Sequence, residues 1–341
     1  MEPVVSKQFL KTALEKHFSR DIQILSCLSN NVTSSGENFA SEVKRITITF
    51  SFKNEREVQT LSIIAKYVPE NEYLIDFINE TGFFDNEIGI YENVLPKIGQ
   101  LDYKEKLAPR FYYSTIKRTP SVLIEDLSAL NYKVMPRQKG LDMMHCLLVL
   151  DKLAYFHAAS YALHEQDPSI FIKYNQVMFG RGGQVLELIN ACYGELIKTC
   201  KNYPILYQYE DKLKSSKDKI MSMVSNVNSI KSNFKVLNHG DCWINNIMFY
   251  YTSGGRVMDV AFVDFQSPCF GSNCLDLHHF LASSPQLDVK EKHKDLLDHY
   301  FEGLLKYLRK LHIEDEPTRE DFDEDIRAMA FYGKYFRELF Q

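Results

Sequence analysis

The sequence predicts an α+β chain of two lobes: a small antiparallel β-sheet lobe with a leading helix over residues 1–128, and a mainly helical lobe over 129–341. Three observations predict it. Segments with the two-residue alternation of strands crowd into the first 128 residues, segments with the helical period fill most of the rest, and a strand-rich island at 236–265 interrupts the helical half. The length, 341 residues, exceeds what one hydrophobic core usually holds and so agrees with two lobes.

Phe9, Leu10, Ala13, Leu14 and Phe18 recur at the spacing of one helix face, with no apolar core of signal-peptide type. DIQILSCLS (21–29), EVKRITITFSF (42–52) and VQTLSIIAKYV (58–68) are alternating and β-branched, and polar turn segments separate them. FFDNEIGIYENVL (83–95) reads as a helix stopped by Pro96. FYYSTI (111–116) and SVLIEDL (121–127) are two more strands. Helices are predicted over 141–165, 185–201 and 211–227, and a charged helical remainder over 286–341. Within the first of these, the apolar run 146–163 is interrupted by Asp151 and Lys152, which marks a buried core helix rather than a bilayer span of about 20 residues. In the island, VLNHGDCWINNIMFYY, a TSGGR turn and VMDVAFVDF read as a hairpin.

With 45% hydrophobic and 25% charged residues, the chain is not mainly disordered. A net charge of -5 gives no electrostatic reason to expect nucleic acid or an anionic membrane surface as partner. The seven cysteines are odd in number and contain no CxxC, so they form neither a disulfide framework nor a zinc site. Cys269 and Cys274, near His278 and His279, fit no standard zinc spacing. Reduced thiols in a cytoplasmic protein are expected. No signal for an oligomeric state is present.

The island carries the chemistry. It holds His239-Gly240-Asp241, then Asn246 five residues after the aspartate, then Asp264-Phe265 at the end of the returning strand. Phosphoryl transfer from ATP to a hydroxyl needs one carboxylate to accept a proton and further oxygen ligands to hold magnesium on the phosphates. The H-x-D-x4-N spacing and the following Asp-Phe pair meet that need. His239 and Asn245 are read as structural residues of this loop. Lys66 ends an apolar strand run and Glu87 lies on the next helix, so the two are expected to pair and to position the phosphates; Glu92 and Glu80 are less well placed. Between the first two strands, Gly36 and Asn38, with Ser34 and Ser35, are the candidate phosphate loop, although no G-x-G-x-x-G is present. A hinge over Leu123–Leu127 offers backbone groups to adenine around Glu125 and Leu127, with the Glu125 and Asp126 carboxylates solvated or bridging the lobes.

The run HGDCWINNIMF followed by FVDFQ resembles the ecdysteroid kinase-like (CHK kinase-like) family of insects. That family sits within the choline kinase and aminoglycoside phosphotransferase group, which has the protein-kinase-like fold. The similarity extends to GENFAS, LIEDL, LAYFHAAS and CLDLHHFL, covering most of residues 30–285. Trp243 and the double Asn245-Asn246 favour this family over choline kinases, and HGD and DFQ set the chain apart from protein kinases. The resemblance implies a bilobal protein-kinase-like fold with Asp241 as catalytic base, Asn246 and Asp264 as magnesium ligands, and Lys66 as phosphate-binding lysine. It implies Mg-ATP-dependent phosphorylation of a small-molecule hydroxyl, on an ecdysteroid or a related steroid or xenobiotic. Such relatives usually continue further past the region matching 320–341, so a C-terminally truncated chain is an expectation. Two alternatives stand beside this reading. One is a choline- or aminoglycoside-type kinase, with the acidic stretch Glu314–Asp325 as candidate cation pocket; the other is a catalytically silent binding protein on the same fold.

Overall fold

In the computed structural model, which describes residues 5–32, 41–69, 71–116, 120–177 and 183–332, helix α1 (Lys7–Phe18) begins at Ser6, whose hydroxyl accepts the Phe9 amide. Strands β1 (Ile22–Asn31), β2 (Glu42–Phe52) and β3 (Val58–Tyr67) follow where the alternation predicts them. Next come helices α2 (Glu72–Thr81), α3 (Phe83–Gly89) and α4 (Leu95–Ile98), then strands β4 (Phe111–Thr115) and β5 (Ser121–Glu125). The five strands make one antiparallel sheet in the order β1-β2-β3-β5-β4.

Strand alternation sorts the side chains of this sheet. Ile63, Ala65 and Leu123 pack with Leu10, Ala13 and Leu14 of α1. Ile64, Val122 and Ile124 face the other way, toward the helical core, and Lys66 pairs with Val122 on that side. A one-residue slip would drive Lys66 into the α1 core, so burial worth about 1.5–3 kcal/mol per large apolar side chain holds the register that aims this lysine.

Two differences from the sequence expectation appear here. Helix α2 lies outside every predicted element; the Asn71 side chain caps it by accepting the Leu74 amide. The helix expected to stop at Pro96 runs on to Ile98 through a π-helical stretch, Ile90–Val94. There the Leu95 amide reaches back to the Ile90 carbonyl, and the wider turn takes up the ring and missing donor of Pro96.

The remainder comprises β6 (Tyr132–Val134), α5 (Met143–Gln166), α6 (Gly183–Asn202), α7 (Tyr207–Ser225), β7 (Lys235–Asn238), β8 (Ile247–Tyr251), β9 (Val257–Phe262), β10 (Cys269–Ser272), α8 (Cys274–Ser283), α9 (Leu287–Lys290), α10 (His293–Lys310) and α11 (Arg319–Ala328). The island is not a single hairpin. β8 and β9 form the hairpin, with β6 as third strand, whereas β7 pairs with β10 in a separate ribbon. The loop after β7 therefore crosses from one small sheet to the other, and its residues stand at the junction. Helix α5, the one helix among the described residues long and apolar enough to cross a membrane, is buried in the core. Its Lys152 meets Glu105 at 3.0 Å and Asp259 at 2.9 Å, and its Asp151 accepts Tyr307 at 2.7 Å. One apolar cluster runs from α2 and α3 through α5 to β7, β8, α8 and α10, so α3 rests on the helical half as well as the sheet.

Candidate active site

The loop between β7 and β8 is held from beneath. The Asp276 carboxylate on α8 accepts the amides of His239 at 2.6 Å and Gly240 at 2.9 Å. His157 of α5 donates to the same carboxylate at 3.3 Å, while its Nδ1 meets the Tyr300 hydroxyl at 2.6 Å. Asp276, His157, His239 and Tyr300 are buried. Burial alone would raise the Asp276 carboxyl, but His157, His239 and the Gly240 amide outweigh it and hold it below the usual carboxylate range. Gly240 is required here: its φ is +79°, and a Cβ would sit 1.8 Å from the Ser267 carbonyl oxygen.

His239 links this loop to the strand that precedes Asp264. Its Nε2 donates to the Val263 carbonyl at 3.0 Å and its Nδ1 accepts the Asp241 amide at 3.3 Å. Burial lowers its pKa and keeps the ring neutral, as one donor and one acceptor nitrogen require. Asn246, at the end of a short 3₁₀ turn, donates Nδ2–H to the Asp241 carboxylate at 2.8 Å. Asp264 adopts a left-handed backbone (φ 69°), an uncommon choice for a residue with a side chain. Phe265 beside it is buried against His239, Tyr91 and Phe156, which anchors the turn.

Across from this loop, Lys66 Nζ lies 2.7 Å from Glu87 Oε2 and also contacts Asp264 Oδ1. Lys66 and Glu87 are both buried. Burial alone would lower the lysine, yet Asp264 and Glu87 outweigh it and raise it above the ordinary value, so it stays charged. Burial pushes Glu87 up to about 7 against the pull of Lys66, with Asp264 adding to the rise. For Asp241, burial, with Asp264 adding to it, pushes the carboxyl to about 7 although Asn246 hydrogen-bonds to it.

A cleft of about 270 Å³ opens between the sheet and the β8–β9 hairpin. Lys66, Glu87, Asn246 and Asp264 stand at its polar end, and Val43, Ile64, Ile124, Leu127, Met248 and Val263 supply apolar walls. Asn245 also lines the cleft and is half-buried. Glu125 and Leu127 lie on its rim. Gly36, Asn38, Ser34 and Ser35 fall outside the described residues. Glu80 and Glu92 have other partners, the Gln184 amide and the Ser114 hydroxyl.

The hinge carboxylates pair with side chains of the first 128 residues rather than across the two halves; Asp126 is buried, and Glu125 keeps part of its surface in solvent. Glu125 accepts Lys106 at 2.6 Å and the Arg110 amide at 3.1 Å. Asp126 is buried, takes Arg45 of β2 in a two-pronged pair and the Ser62 hydroxyl of β3, and caps the turn that follows. These contacts tie the hinge to the sheet. Part of the acidic stretch Glu314–Asp325 is spent on neighbours too: Glu316 pairs with Arg309, Asp323 with Arg319, and Asp325 accepts the Asn233 amide and the Ser232 hydroxyl.

Sequence reasoning missed Asp276 and His157 altogether, and missed what Asp126 and His279 face at the site. Asp276 and His157 lie inside CLDLHHFL and LAYFHAAS, segments that carry the family resemblance, yet no spacing joins them to the loop they brace. Asp126 was legible as a hinge residue but not as the partner of Arg45.

The donors suit a hard cation bound beside phosphates. Asn246 turns Nδ2 to Asp241, which leaves its amide oxygen as the remaining donor, and Asp264 adds a carboxylate. Among the described residues no group of three or more His, Cys, Asp or Glu forms a metal cage. Two protein oxygens are what magnesium takes when phosphates and water complete its shell.

Among solved structures, the chain is similar to an ethanolamine kinase from Plasmodium vivax, at 14% identity and a TM-score of 0.41, over 91% of this chain and 81% of that one. It is also similar to a glucosamine kinase, at 11% identity and a TM-score of 0.44, over 98% and 78%. A structure titled as glucosamine kinase with glucosamine, ADP and inorganic phosphate matches at 11% identity and a TM-score of 0.42, over 98% and 80%. No curated protein sequence matches the chain. The model of the ecdysteroid kinase-like family matches residues 35–313, and the chain belongs to that family.

Proposed function

We propose that the protein transfers the γ-phosphoryl group of Mg-ATP to a hydroxyl of a small molecule. The observation that carries this reading is a convergence on one apolar-walled cleft. There Lys66 meets both Glu87 and Asp264, and Asn246 holds Asp241 beside them. In this reading Asp241 accepts the hydroxyl proton, Lys66 steadied by Glu87 holds the α- and β-phosphates, and Asn246 and Asp264 ligate magnesium. Bound Mg-ATP supplies the transferable group and neutralises charge on the phosphates. The backbone of Glu125–Leu127 receives adenine between the apolar walls. Family membership puts an ecdysteroid, or a related steroid or xenobiotic, first among acceptors.

The test is transfer of labelled phosphate from ATP to a panel of ecdysone, choline and glycosides, with nucleotide affinity measured by calorimetry. Transfer to ecdysone supports the acceptor assignment. A folded chain that binds no Mg-ATP sinks the kinase reading.

A further inference from the structure

The two oxygens of Asp241 keep different company. Oδ2 accepts Asn246 Nδ2–H at 2.8 Å, whereas Oδ1 faces His279 Nε2 across 3.9 Å. That gap is too long for a hydrogen bond. It fits one bridging oxygen, since bonds of about 2.7 and 2.9 Å meeting near a right angle span such a distance. His279 sits on α8 three residues after Asp276, so one helix face supplies both the brace for the loop and the group opposite its carboxylate. The imidazole is 5% exposed and the Asp241 side chain 26%, so a buried ring faces a carboxylate that keeps only part of its surface in solvent. Burial lowers the His279 pKa to about 3, against the pull of Asp276, which makes it an uncharged partner at neutral pH.

We propose that this gap seats the acceptor oxygen: the substrate hydroxyl donates its proton to Asp241 Oδ1 and accepts a hydrogen bond from His279 Nε2–H. The inference rests on the kinase reading above and makes His279 a catalytic residue. In the transfer step the hydroxyl oxygen forms the new bond to the γ-phosphorus. The bond from that phosphorus to the β–γ bridging oxygen breaks, its electron pair leaves with ADP, and the hydroxyl proton passes to Asp241. A hydroxyl oxygen has two lone pairs, one for His279 and one for attack. A neutral amine has a single pair and cannot do both, so the site selects alcohols over amines.

The full chain with Mg-ATP tests this through His279→Leu, which keeps bulk without a donor, and His279→Gln, whose amide N–H reaches toward the place of Nε2. Calorimetry reads nucleotide affinity, and ADP release is followed with water and with ecdysone as acceptors. Expected are a folded chain and wild-type Mg-ATP affinity in both variants, a loss of about 10²-fold in kcat for His279→Leu, and partial recovery in His279→Gln. Wild-type kcat in a folded His279→Leu protein overturns the proposal alone. So does a parallel loss of nucleotide affinity and kcat in His279→Gln, the mark of a merely structural role. A wild-type chain that binds no Mg-ATP overturns the kinase reading and this inference with it.

Discussion

Asn246 donates Nδ2–H to Asp241 twice, to the carboxylate at 2.8 Å and to the backbone carbonyl at 2.9 Å, so a residue five positions on closes the loop upon its own aspartate. The amide thereby fixes the side chain that is to accept a proton and turns its own oxygen outward. Asn246→Asp removes this donor and sets two carboxylates against each other. Transfer at neutral pH is expected to fall at least about 100-fold, with the acid limb of the rate profile moved to higher pH by roughly one to two units. An unchanged profile would deny the contact its role.

The raised Asp241 carboxyl, near 7 through burial and Asp264, makes a two-sided pH prediction. As a base it must be ionised, so kcat/KM is expected to rise about tenfold per unit up to about pH 7 and then level. Stability runs the other way. Between about pH 4 and 7 the folded chain holds a proton that the unfolded chain has released, so this contribution is full at low pH and lost as pH rises through about 7. Asp241→Asn is therefore expected to melt above wild type near pH 8 and level with it near pH 4, while transfer falls roughly 10³-fold and nucleotide affinity persists. Thermal melts at the two pH values decide it.

Lys66 is shared between two carboxylates, one of them fully enclosed. Lys66→Met strands Glu87 and Asp264 without a counter-charge, at an expected cost of about 3 kcal/mol in urea melts together with loss of nucleotide affinity. Glu87→Gln is different. With burial lifting the Glu87 carboxyl to about 7, an uncharged isostere is expected to change stability by less than about 1 kcal/mol while weakening Mg-ATP binding. Equal destabilisation by both variants would mean that the lysine is not the hub.

Gly240 has no room for a side chain. Gly240→Ala combines a left-handed backbone with a Cβ driven into the Ser267 carbonyl. The expected loss is on the order of 2–4 kcal/mol, with transfer abolished because the loop that carries Asp241 must move. Circular dichroism melts beside the transfer assay check it. A variant as stable and active as wild type would contradict the loop geometry.

Much of the fold was legible because its signals are local. Alternation in β1–β3 and β5, and the helical period of α5 to α7, are properties of short windows. They mark elements whose apolar faces need burial. Helix α2, the short β6 and β10, and the passage of the helix through Pro96 were not legible. The first is set by a capping contact, the next two by pairing with distant strands, and the last by a π turn that no propensity announces. At the site, the residue types and spacing of Asp241, Asn246 and Asp264 stood in the sequence. The double bond from Asn246, the hinge pair of Asp126 with Arg45 and the cleft-facing side of Asn245 did not.

The chain by itself determined which chemical groups are present, in what order, and on which kind of element each is carried. Tertiary structure alone decided their company. Lys66 and Asp264, 198 positions apart, meet because the β3 register and the αL turn at Asp264 aim them at one cleft. Asp276 reaches the amides of His239 and Gly240, and His279 comes to face Asp241, because α8 packs beneath the loop. Periodicity records which face of an element is buried but not what that face meets. Contacts between distant residues are decided by how the elements pack.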